Sequence, residues 1–109
     1  MTVREFAAKY KLEVVAGNNL DTEINGAYFG DDPHDVMKMA EEGNIWLTTL
    51  DDLVAVGVAL LADISAVVLV EGRDFEHIAV KKACSKGVNL LKYRGSKFEL
   101  AGQFYEELK

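Results

Sequence analysis

The sequence predicts an α/β fold, a three-layer α/β/α sandwich around a mixed, mostly parallel sheet of about five strands. Three observations carry this. From residue 44 to the end, β-rich runs and helix-forming segments alternate, the pattern of strands joined by right-handed helical crossovers. The run Ala66-Val67-Val68-Leu69-Val70 is apolar at every position, as in a parallel strand covered on both faces. Helix-start chemistry recurs between the β-rich runs. A chain of 109 residues has room for one domain with its own core, and residues 1–109 are read as that domain.

The elements follow in order. Thr2 with Glu5 fits a capping box and opens a helix over 2–10. Asp32 followed by Pro33 reads as an N-cap and first helical residue, starting a helix over 32–42 that Gly43 would close. Thr49 with Asp52 is a weaker cap for a helix over 50–62, and Asp74 caps one over 74–86 that ends at Gly87. Ser96 with Glu99 opens the last helix, 96–108. The strands between them are 12–16, 24–29, 44–48, 66–70 and 88–93. The loop 17–21 leaves the first two strands free to pair differently from the rest, hence a mixed sheet.

The third helix has no polar face from Leu53 to Ala62, so it must be covered all round. One side packs on the sheet. The other meets either the terminal helix or a second copy of the chain, with Val54, Gly57, Val58 and Leu61 as the candidate interface. The last helix is amphipathic in the ordinary way: Ala101, Phe104, Tyr105 and Leu108 face the sheet, while Glu99, Gln103, Glu106 and Lys109 face outward.

Lys plus Arg number 12 and Asp plus Glu 18, a formal charge of −6 that argues against nucleic-acid or anionic-membrane partners held by bulk electrostatics. The longest apolar stretch is too short to span a bilayer and no secretory signal is visible, so the expected location is cytoplasmic. One cysteine, Cys84, excludes an intrachain disulfide and an all-cysteine metal cage, and it reads as a small buried residue. His34 and His77 fall in first helical turns and read as exposed. Phosphate-loop, dinucleotide-loop and nucleophile-elbow motifs are missing. No catalytic residue, metal ligand or cofactor is assigned. One constellation has positional logic, because ligands of open α/β sheets sit beyond the carboxyl ends of parallel strands. There Thr48, Thr49, Gly72, Arg73, Arg94 and Ser96 gather as a candidate anion site, opposed by Asp51, Asp52, Glu71 and Asp74.

The stretch Ile24 to Asp31, then Val36-Met37, Gly43 to Thr48, Val54 to Ala59 and Ala66 to Gly72, resembles the DRTGG-domain family. The likeness extends over most of the chain and is greatest to short stand-alone members. These domains are related to the N-terminal domain of HPr kinase/phosphorylase, which implies a MurF/HPr-kinase N-domain-like sandwich without catalysis of its own. Relatives fused to phosphotransacetylases and CBS-containing pyrophosphatases imply a regulatory, self-associating role. The chain departs from the family at two turns, carrying Thr49-Leu50-Asp51 and Glu71-Gly72-Arg73 where fused members carry G-D-R-like and T-G-G sequences. The expected function is therefore a non-catalytic regulatory or protein-interaction domain, homodimeric, associated with a metabolic or redox enzyme. The alternative is a sensor of an adenine nucleotide or other anionic metabolite at the strand-end rim.

Overall fold

A computed structural model describes residues 1–108. The inward place read for the Leu108 side chain and the outward one for Lys109 lie outside what is described. The elements are α1 (Val3–Tyr10), β1 (Glu13–Ala16), β2 (Gly26–Phe29), α2 (Pro33–Met39), β3 (Asn44–Thr48), α3 (Leu53–Leu61), β4 (Ala66–Leu69), α4 (His77–Lys86), β5 (Leu90–Lys92) and α5 (Lys97–Leu108). They build one five-stranded sheet in the order β1-β5-β4-β3-β2. Strands β2 to β5 are parallel, and β1 runs antiparallel to β5 with a register shift between Val14 and Ala16. The first two strands thus do not pair with each other. They form opposite edges of the expected mixed sheet.

Strand periodicity sorts the core into two layers. Trp46, Val67, Leu69 and Leu90 point to the face covered by α2, α3 and α4, where they meet Val36, Val56, Ala59 and Ala83. Ile45, Leu47, Val68 and Leu91 point to the other face and pack on Phe6 of α1 and on Leu100 and Phe104 of α5. Three successive parallel crossovers put α2, α3 and α4 on one face, as a common hand requires. The sandwich has three layers, as the sequence predicts.

Local chemistry explains the helix ends. Thr2 and Glu5 cap each other's backbone N–H groups reciprocally. Asp32 accepts from the His34 N–H with Pro33 at the first helical position. Asp52, rather than Thr49, caps α3 by accepting from the Val54 N–H at 3.1 Å, so the helix starts at Leu53. Helix α4 starts at His77 behind Glu76, which makes no side-chain cap bond, and Asp74, two residues further out, pairs with Lys92 instead of capping. Gly87 closes α4 in the left-handed conformation, φ 74°. Gly43 does not close α2, which ends at Met39 with Ala40 as its cap. It has φ 85° in the turn before β3, where an added Cβ would lie 2.6 Å from the Asn25 amide.

Three expectations are corrected by side-chain direction. On α5, Phe104 and half-buried Ala101 face the core as expected and Leu100 joins them, but Tyr105 is exposed. Cys84 is exposed, since Ala83 takes the inward position on α4. Helix α3 is not sandwiched against the terminal helix, which covers the opposite face. It lies between α2 and α4, and part of its surface remains open.

Candidate functional site

The carboxyl ends of the parallel strands carry two distinct structures. The first is built around Asp31, in the loop after β2. Its Oδ1 accepts from the Thr48 hydroxyl at 2.9 Å and from the Thr49 N–H at 2.8 Å, and its Oδ2 pairs with Lys97 at 3.2 Å. The same loop is clamped to β3 by the Trp46 indole N–H, which donates to the Gly30 carbonyl at 2.8 Å. Partial burial pushes the Asp31 carboxyl up, but the Thr49 N–H, the Thr48 hydroxyl and the Lys97 ammonium outweigh it and hold the pKa at about 2. An internal carboxylate therefore sits where the sequence reading places a bound anion. Asp31 is missing from that reading, because its partners lie 17, 18 and 66 residues away. A Gly-Asp pair at the end of a strand was the available signal.

The other predicted rim residues separate into groups. Ser96 is engaged in capping α5: its Oγ accepts from the Glu99 N–H at 3.1 Å, and its N–H donates to the Glu99 carboxylate. Gly72 and Arg94 line one cleft of about 1110 Å3, together with Lys11, Tyr93 and Gln103. Thr48, Thr49, Arg73 and Ser96 lie outside that lining. The base of the cleft is tied by the Glu71 N–H donating to the Gly95 carbonyl at 2.8 Å and the Gly72 N–H to the Tyr93 carbonyl at 3.2 Å. The Tyr93 ring packs against Gly95, where an added Cβ would lie 2.7 Å from it and push the ring aside. Lys92, at the cleft edge, pairs with Asp74, which raises the pKa of its ammonium. Asp51 and Asp52, expected to oppose anions, are half-buried, and Asp52 is the cap of α3.

The candidate interface residues are also sorted by the structure. Val54 and Leu61 are exposed, Leu61 to 77%, and Gly57 is half-buried. Val58 is 7% exposed and packs inside its own chain, because it points between α3 and the sheet; it leaves the candidate surface. Leu53 and Leu60 join it. No group of His, Cys, Asp and Glu that could hold a metal ion occurs among the described residues. No described helix is long and apolar enough to cross a membrane.

No protein-family model matches the chain, and a search of curated proteins finds no match. The fold has a counterpart among solved structures. It is similar to the crystal structure of the CBS and DRTGG domains of the regulatory region of Clostridium perfringens pyrophosphatase, complexed with the activator diadenosine tetraphosphate. The TM-score is 0.75 at 10% identity, over 92% of this chain and 44% of that one. The chain thus has a DRTGG-like α/β fold and spans less than half the length of that neighbour.

Proposed function

We propose that this chain is a non-catalytic regulatory domain that acts by association, first of all with a second copy of itself. The observation that carries this is the outer face of α3. Leu53, Val54, Leu60 and Leu61 are exposed, and Gly57 lies at their centre with nothing within 4 Å of where a Cβ would stand. Glycine in a helix interior costs about 1 kcal/mol relative to alanine, and no neighbour among the described residues explains it. The strip reads the same in both directions: Leu53 and Val54 lie four and three residues before Gly57, Leu60 and Leu61 three and four after. A two-fold axis at Gly57 would set each half on the other half of a copy, the self-complementarity that an isologous interface needs. Kinship with the N-terminal domain of HPr kinase/phosphorylase, a cytoplasmic location and a metabolic or redox enzyme as partner belong to the same proposal.

Light scattering on the wild type and on Leu61→Glu tests it. The wild type is expected as a dimer and the variant as a monomer with unchanged circular dichroism, because Leu61 contributes little to its own core. A monomeric wild type, or a variant that stays dimeric, overturns the proposal.

Sensing of a small anionic metabolite is the second reading. It is favoured by the Arg94 guanidinium, which lines the cleft and makes no ion pair among the described residues, and by the activator carried by the neighbouring regulatory region.

A further inference from the structure

In open α/β sheets, ligands collect where neighbouring parallel strands send their following helices to opposite faces, because the diverging loops leave a crevice at the strand ends. This chain has such a point between β4 and β5, which are paired in parallel. The loop after β4 leads to α4, on the face shared with α2 and α3, whereas the loop after β5 leads to α5, on the other face. No other pair of its parallel strands diverges in this way, since α2, α3 and α4 share one face. The crevice between those loops opens into the cleft that Gly72 and Arg94 line.

We infer that this cleft binds a nucleotide-sized phosphate ligand, with the phosphates on Arg94 and Lys11 and a planar ring against Tyr93. The inference rests on the ligand-sensing reading and is independent of self-association, whose surface lies on the opposite helical layer. Arg94 and Lys11 are exposed and without ion pairs among the described residues, so they keep their full capacity for an anion. Of the carboxylates in the lining, Glu99 accepts from the Ser96 N–H and hydroxyl, and Asp74 pairs with Lys92. Glu13 stands beside Lys92 in the strand register. An arriving phosphate competes with Asp74 for the Lys92 ammonium. Tyr93 is half-buried in the lining with its ring edge against Gly95, and an aromatic ring at that place is a stacking partner for a base. A cleft of about 1110 Å3 has room for such a ligand.

Isothermal titration of the full chain with ADP, and separately with inorganic pyrophosphate, tests the assignment. ADP is expected to bind at least tenfold more tightly than pyrophosphate. Arg94→Glu should weaken ADP binding at least tenfold, Asp74→Asn should strengthen it several-fold, and Arg73→Glu should leave it within twofold. The last variant makes the same charge change on a neighbouring exposed arginine outside the cleft. Equal binding of the two probes removes the ring from the assignment and overturns it. Binding that Arg94→Glu and Arg73→Glu weaken alike overturns the cleft while sparing the sensing reading. No binding of either probe at millimolar concentration overturns both.

Discussion

Replacing Asp31 by asparagine should lower stability by about 1 kcal/mol at neutral pH, and the loss should vanish in acid. In the folded chain the carboxyl titrates at about 2, against 3.8 for an unperturbed aspartate. Taken at face value the depression corresponds to about 2.5 kcal/mol. The side chain is 42% exposed, so solvent screening reduces it to roughly 1 kcal/mol. The sign follows from linkage: a depressed carboxyl stabilises the fold above the unfolded pKa, and the contribution is lost as pH falls from about 4 through about 2. Asparagine keeps one oxygen for the Thr48 hydroxyl and the Thr49 N–H but gives up the charge facing Lys97. Urea melts of both proteins, followed by Trp46 fluorescence, should differ most at pH 5 to 7 and converge towards pH 2. Glu5, Asp21 and Glu107, whose carboxyls are also depressed by partners, titrate in both proteins and cancel in the difference. A gap as wide at pH 2.5 as at pH 7, or none at pH 7, would refute the reasoning.

Two further outcomes follow from the same geometry. The Cβ of Gly57→Ala meets no atom of the described residues within 4 Å, so the monomer should gain up to about 1 kcal/mol and melt a few degrees higher in dilute solution, while dimer dissociation measured by light scattering becomes easier. Trp46→Phe removes the donor to the Gly30 carbonyl from a side chain that is fully buried. It should cost about 2–3 kcal/mol in a urea melt read by circular dichroism.

The parts of the fold that were legible are those whose signal is local. Ala66 to Val70 states its burial on both faces by composition alone, and Thr2 with Glu5 and Ser96 with Glu99 state their helix starts within four residues. Features fixed by distant partners were not legible. Asp74 reads as a cap until Lys92 draws it away, and Asp31 reads as loop until Thr48, Thr49 and Lys97 converge on it. Side-chain direction on helices fails for a related reason. Cys84 beside Ala83, and Tyr105 beside Phe104, differ by one 100° step, and only the sheet beneath decides which of two apolar neighbours turns inward. Of the candidate rim residues, Thr48, Thr49 and Ser96 have donors engaged by carboxylates of the chain itself, whereas Arg94 makes no ion pair among the described residues.

The engaged half of that rim has a consequence for what can settle there. A carboxylate tethered to the backbone is present at an effective concentration that no dissolved metabolite of comparable charge approaches, so its seat stays filled whatever the surroundings contain. The turn at Thr48 and Thr49 is therefore deaf to changes in anion level. What stays open to a dissolved anion along this rim and its cleft, among the described residues, is the pair Arg94 and Lys11, which no carboxylate holds.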